Sequence, residues 1–347
     1  MVSPGDNVEI TEHNDAVTRI NLILGIGSGD KGYGQAMANT GMVAPAGVDD
    51  ITAGQWGGLF TDLNMVYGHQ FNTSIGINQI VSGNIIGADE SNTGSGDTVQ
   101  RTPGTPDTFT VVNPDATKGV NDIPPLIPAI EVDHLTVHAT QTVLETKVQS
   151  ADTGASYTSD WPAAGLSAEF QLVFAGGYIC KTDDGIDIAA TTQDHRRHFF
   201  NTGGVINMSS ALTNESTNQK DVDWDAIITN SGIISFKVHS TTTTATGPHT
   251  VASAIGFHEL TTSYQDIFSK SGSAPNYAEN NFTIKAKLLS TNSVVFRFEW
   301  NDADTDGSNV DDRVTGDLGL TMTQVRASVV DGVTVATPTY VNLQNIG

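Results

Sequence analysis

The most chemically suggestive residues of this sequence lie between positions 301 and 312. Asn301-Asp302-Ala303-Asp304-Thr305-Asp306-Gly307-Ser308-Asn309-Val310-Asp311-Asp312 sets carboxylates on alternate residues ahead of a glycine. An EF-hand loop opens in the same way, with alternate oxygens converging on one hard cation. Asp302, Asp304, Asp306 and Asp311 are therefore the candidate calcium ligands, with Asp311 or Asp312 able to substitute, from a different loop shape, for the glutamate an EF-hand carries at its twelfth position. Two features oppose a tight site. Arg313 falls where the EF-hand needs a bidentate glutamate, and no helices are expected on either side. The competing expectation is a solvated acidic turn after a strand, with no cofactor.

Three other groupings carry reactive side chains. His134 and His138 stand four apart and share one face, but Leu135 sits where a zincin needs its glutamate, so a surface or interface pair is expected. His195-Arg196-Arg197-His198 could hold an anion, yet among so many carboxylates it is read as the anchor of a subunit contact. Gly27-Ser28-Gly29-Asp30-Lys31-Gly32 has the spacing G-x-G-x-x-G. A dinucleotide site needs a strand before that spacing and a helix after it. Here a helix precedes it and Pro45-Ala46-Gly47 follows, which predicts a packed or flexible glycine loop. Nucleophile-elbow, Cys-x-x-Cys and P-loop signatures do not occur in the sequence, and no catalytic residue is nominated. Trp161, Trp224 and Trp300 could stack on sugars but are read as core. The lone Cys180 is read as a small buried strand residue.

The elements that would position these groups divide the chain. Residues 10–24 predict a helix, with Val17, Ile20 and Leu24 on one face and Thr11 as N-cap. Thr52-Ala53-Gly54-Gln55 has capping-box form, followed by Trp56, Phe60, Leu63 and Tyr67 at helical spacing. A third helix is expected over 132–148, although its β-branched residues also alternate as a strand would. Residues 83–106 read as a long loop or arm, and Asn121 to Pro128 as stiff and extended. His195 to Leu212 predicts a hairpin: strand at Phe199-Phe200, turn at Asn201-Thr202-Gly203-Gly204, strand at Val205 to Ser209. Beyond 159 further strands are expected at 169–175, 233–241, 254–259, 281–289, 294–300, 321–329 and 333–342. Those at 281–289 and 294–300 alternate cleanly and join through Ser290 to Ser293. The resulting class is α+β. A helical, loop-rich assembly region over 1–150 precedes a mainly antiparallel β-sandwich over 151–347.

Composition narrows the function further. The chain of 347 residues holds 39 acidic against 16 basic side chains, a formal charge of -23. Such a surface repels phosphate backbones and anionic membranes, so nucleic-acid partners and membrane insertion are not expected. One cysteine excludes an intrachain disulfide. The first residues show no secretory pattern and no apolar run approaches a membrane span, so synthesis in a cytoplasm is expected. That pattern disfavours a secreted bacterial adhesin. The sparse amphipathic helices and long loops predict association with copies of itself.

Several stretches resemble virion structural proteins of tailed bacteriophages, especially marine and cyanobacterial ones. They are His198-Phe199-Phe200-Asn201-Thr202-Gly203-Gly204-Val205-Ile206, the run Leu24 to Gln35, the run Ile51 to Trp56 with Leu63, and the less specific runs 260–268 and 296–304. They occur in the same order and bracket most of the chain. One departure is that the second apolar position after Trp56 is shared by Leu59 and Phe60. The resemblance implies a non-enzymatic tail, baseplate or fibre component, located in the virion after assembly in the host cytoplasm. Its partners would be other virion proteins and copies of itself, with a host surface glycan as a further candidate. The alternatives are a head decoration or head fibre protein, or a carbohydrate-binding or depolymerase module on the particle.

Overall fold

The computed structural model describes residues 10–39, 41–42, 51–72, 98–102, 108–112, 123–138, 141–149, 156–157, 161–162, 164–175, 180–182, 186–189, 192–273, 277–303, 313–327 and 332–347. These fall into two compact units. Unit 1 comprises Met1–Gln141, Gly176–Gly203 and Ala327–Val335, and unit 2 comprises Thr142–Ala175, Gly204–Arg326 and Ala336–Gly347. The expected division at 150 is thus replaced by one near 141. Residues 176–203 and 327–335 belong with the helices rather than with the sheets.

Unit 1 is helical. Helices α1 (Ile10–Leu24), α2 (Ala53–Phe71) and α3 (Ile123–Val132) surround one apolar core. Val17, Ile20 and Leu24 of α1 meet Trp56, Leu63 and Tyr67 of α2, and Leu126 and Ile130 of α3 close the third side. Both Leu59 and Phe60 are buried, so each apolar position after Trp56 is used. The Thr52/Gln55 capping box forms as expected. Thr11 lies inside α1 rather than capping it. Strands β1 (Thr98–Thr102) and β2 (Thr108–Val112) pair as an antiparallel hairpin, so the stretch read as loop is partly sheet.

Three other expectations for this unit change. Residues 123–132 are helical rather than extended. Pro124 and Pro125 occupy the first turn, where the missing N–H would have had no intrahelical partner. The helix expected over 132–148 ends where it was to begin, and strand β3 (Gln141–Gln149) follows. The β-branched residues that blurred that reading decide it. The predicted hairpin at 195–212 is helix α4 (His195–Asn201), a turn, and strand β8 (Val205–Thr213). Asp194 caps α4 by accepting from the Arg197 N–H, which outweighs the strand preference of the Phe199-Phe200 pair. The turn does need glycine, since Gly203 has φ +80°.

Unit 2 is built on two antiparallel sheets. The first has the order β10 (Thr241–Thr243), β9 (Ile234–Phe236), β8, β15 (Asp317–Ala327), β3, with β4 (Ser156–Tyr157) also on β15. The second runs β11 (Thr250–Val251), β12 (Gln265–Ser271), β13 (Asn281–Ser290), β14 (Ser293–Asn301), β5 (Leu166–Val173), β16 (Thr339–Gln344). The expected 233–241 strand is thus two short ones, the 333–342 strand starts only at 339, and 254–259 gives turns and a 3-10 segment at Phe257–Glu259. Small strands β6 (Cys180–Lys181) and β7 (Asp187–Ile188) pair within unit 1, with Cys180 buried as read.

The β13–β14 hairpin shows why the sandwich forms. Ile284 faces Phe298, Ala286 faces Phe296 and Phe282 faces Trp300, so large and small side chains alternate across the buried face. Phe296 meets Phe236 of the other sheet edge to face at 5.3 Å. The opposite face of β14 is charged: Arg297 reaches Glu169 at 2.7 Å, and Glu299 reaches Lys285 at 2.7 Å. Helix α5 (Gln219–Ser231), not foreseen in the sequence, packs against β8, β12 and β13. Its Lys220 lies 2.7 Å from Asp302, both side chains about 1 % exposed. Breaking such a pair strands a buried charge. Lys220→Met is expected to cost about 3–5 kcal/mol in urea unfolding, and the double change with Asp302→Leu to recover most of it. A single-variant cost below about 1 kcal/mol would contradict a buried pair.

Candidate functional site

The histidine–arginine run and the glycine loop, separate in the sequence, meet in unit 1. Gly27, Gly29, Gly32 and Gly34 all take positive φ, which only glycine adopts without strain. The resulting loop turns its carbonyls toward α4. The Arg197 guanidinium donates to Ile26 O and Lys31 O, with longer contacts to Gly27 O at 3.3 Å and Gly29 O at 3.4 Å. Asn201 Nδ2 donates to Lys31 O at 2.9 Å and Gly32 O at 3.3 Å. His198 Nε2 lies 3.2 Å from Ile26 O, and a Cβ on Gly34 would overlap the His198 ring. A phosphate-binding loop aims N–H groups inward. This loop presents oxygens, and the chain's own cation fills it.

The neighbouring motif residues are likewise committed. Tyr33 is buried and its hydroxyl donates to His134 O, while Gln35 exchanges hydrogen bonds of 2.9 Å with Thr334. Arg196 forks onto Asp194 at 2.9 and 3.1 Å. Both arginines of the run expected to anchor a subunit contact are thus bonded within unit 1. His134 faces Asp30 at 3.3 Å, and His138 is buried with its backbone N–H donating to His69 O, where a surface or interface pair was expected.

Of the calcium candidates, Asp302 is brought to Lys220, while Asp304, Asp306 and Asp311 lie outside the described residues. Asp302 therefore does not belong to a solvated acidic turn. Its charge is already matched by an ammonium, so recruiting it to calcium means opening a buried ion pair. Among the described residues no group of three or more metal-ligating side chains occurs. The tryptophans are core: Trp161 and Trp224 pack at 4.9 Å, and Trp300 lies between Phe282 and Phe298.

The open site is one that the sequence did not announce. Unit 2 holds a pocket of about 410 Å³ between α5, the loop joining β10 to β11, and the end of β12. Asp223 and Lys270, each only 6 % exposed, both line it. Lys270 Nζ donates to Thr246 O at 2.8 Å and Pro248 O at 3.1 Å, and so folds the loop over the strand. Thr246 is tied to α5 through Asn230, backbone to backbone and side chain to side chain, each at 2.9 Å. Exposed His249 stacks on Phe268 at 6.1 Å at the mouth. Gly272 makes room, since a Cβ there would stand 2.7 Å from Asp223 Oδ2 and overlap Tyr277 O. The sequence signal that could have located this wall was Asn218 as N-cap with Trp224, Ile227, Ile228 and Ser231 at helical spacing.

No family model matches the chain, and no curated protein or solved structure is significantly similar to it. Among the described residues no helix is long and apolar enough to cross a membrane.

Burial, with the neighbouring Arg197 charge second, pushes His198 down to about 3. The unfolded chain titrates it near 6.5, so the unfolded state binds the extra proton between the two values. Stability present above pH 6.5 is thus lost as pH falls toward 3. Between pH 6.5 and 5 the wild type should lose about 1 kcal/mol per pH unit more than His198→Gln in chemical denaturation. Parallel pH profiles for the two proteins would contradict a buried neutral imidazole.

Proposed function

We propose that this chain is a non-enzymatic structural subunit of a tailed-phage particle, associated with the tail, baseplate or fibre. The observation that carries the reading is the placement of the residues that resemble phage virion proteins. Tyr33, Gln35, Trp56, His198, Phe199, Phe200 and Asn201 are all buried, and those that carry polar groups at the glycine loop are bonded within unit 1. Residues that act on a ligand line open clefts. Buried residues bonded within their own unit, as these are, hold a shape. The charge of -23 supports protein rather than nucleic-acid partners, both other virion proteins and copies of this chain.

The alternative placement, on the head as decoration or fibre, uses the same sandwich architecture. A carbohydrate-binding role on the particle is favoured by one observation, the open pocket of unit 2. Mass spectrometry of gradient-purified particles that encode this sequence tests the main reading. The chain should be present in stoichiometric copy number, and antibody labelling should decorate the tail end. Its absence from particles, with full recovery in the soluble lysate, would overturn the proposal. Labelling of the head alone would select the alternative.

A further inference from the structure

We propose that Lys220 and Asp302 condense, expelling one water, into an amide bond that ties the first turn of α5 to the end of β14. The approach is close and dry. Lys220 Nζ lies 2.7 Å from Asp302 Oδ2, and each side chain is 1 % exposed. The pairs Lys181–Asp187 and Lys285–Glu299 keep every side chain at least 18 % open, and a pair that water reaches stays ionic. The surroundings are aromatic on both elements. Trp224 follows Lys220 by one helical turn and packs on Trp161 at 4.9 Å, while Trp300, two residues before Asp302, is fully buried. Gly165 lets the strand end come close, since a Cβ there would overlap Trp300 O and stand 2.7 Å from the Asp302 N.

In water an ammonium and a carboxylate do not condense, because hydration holds both as ions. Here that hydration is gone, and each buried charge is costly. An amide carries no charge, so condensation removes the cost. Transfer of one proton across the 2.7 Å contact gives a neutral amine and a carboxylic acid. The nitrogen lone pair then attacks Cγ, forming the Nζ–Cγ bond and a tetrahedral adduct. The Cγ–OH bond breaks, its oxygen gains a proton given up by the nitrogen, and water leaves. Atoms and charge balance with no oxidant or co-reactant. Cγ is one bond beyond Oδ2, close to the roughly 3–3.5 Å of an attack geometry, and the fold holds it there.

A carboxyl group is placed to carry that proton. Asp223 stands three residues after Lys220, hence on the same helix face, and is 6 % exposed. Its Oδ2 lies beside Gly272, where a Cβ would approach it to 2.7 Å. The Gly272 N–H donates to Asn280 O at 2.8 Å, and Asn280 Oδ1 accepts from the N–H of Ala303, next to Asp302, at 2.8 Å. Along the helix and across the sheet, both routes lead from Asp223 to the pair. Asp223 is therefore assigned the proton relay. The bond gives this chain what a disulfide gives others, since one cysteine allows none. The urea comparison made above for the pair describes the freshly folded chain, before closure. The inference does not depend on the particle reading, because it is tested on the purified full chain.

The experiment is intact-mass spectrometry of the full chain, denatured after incubation at neutral pH, followed by tandem sequencing of a protease digest. Wild type should be lighter than its sequence by one water, with the peptide containing Lys220 joined to the peptide containing Asp302. Lys220→Arg and Asp302→Ala should keep their full masses, and Asp223→Asn should leave most chains open. Wild type at full sequence mass, with the two peptides separate, would overturn the proposal. So would the same loss of water in Lys220→Arg. Complete closure in Asp223→Asn would overturn the relay alone. Should the variants not fold, the wild-type digest decides by itself, since the joined peptide is either present or absent.

Discussion

The contact on which unit 1 depends is the Arg197 guanidinium set into the carbonyls of residues 26–31. A planar, permanently charged fork with five donors is matched to a ring of fixed oxygens, as a single ammonium is not. The glycines exist to make that ring. Their positive φ turns the backbone so that successive carbonyls converge, and their missing Cβ lets the His198 ring lie against Gly34. Around this clasp the chain closes on itself. Backbone bonds from Tyr33, Gly34 and Gln35 return to Ile23, Gly25 and Leu24, so the loop is laced to the end of α1. Residues 192–203 thereby join a fold whose other helices lie more than sixty positions earlier.

Unit 2 solves a different problem with the same economy of polar groups. Its sheets bury aromatic and aliphatic side chains on one face, and their solvent faces carry cross-strand pairs such as Glu169 with Arg297. Exposed pairs of this type contribute little to stability and serve mainly to keep the face soluble. The exceptions are inside. Asp221 accepts from Ser216 and Thr315, with oxygen contacts of 2.6 Å, and these bonds hold its carboxyl below the usual range despite burial, which opposes them. With Lys220 on Asp302 and Asp223 in the pocket wall, the first turn of α5 places three charged side chains at buried positions. The helix is polar in sequence because its charges work within the unit.

That polarity explains what could and could not be read in advance. Strands such as 281–290 and 293–301 were legible because alternation and burial coincide there, and α1 and α2 because their apolar residues recur at helical spacing. Helix α5 was hidden because Lys220, Asp221 and Asp223 look like solvent-facing residues until their partners are known. The region 123–149 was misread at both ends. Prolines that suggest an extended chain also fit a helix's first turn, and a segment that matched two periods was settled by its β-branched content. Local spacing also predicted a packed or flexible glycine loop, yet not what packs into it. Arg197 lies some 170 residues away, and nothing local encodes such a partnership. The pocket was illegible for the same reason: its walls come from three separated segments, and none carries a motif.

The central claim is that the glycine loop is a structural receptor for Arg197 rather than a ligand site. Thermal unfolding of Arg197→Lys, beside titration of both proteins with ATP and inorganic phosphate, tests it most directly. Lysine keeps the charge and loses the fork. The account predicts a fall in melting temperature of roughly 5–10 °C, from the loss of about two charge-assisted bonds, and no binding of either anion. An unchanged melting temperature, or wild-type binding of ATP or phosphate that Arg197→Lys weakens, would contradict it.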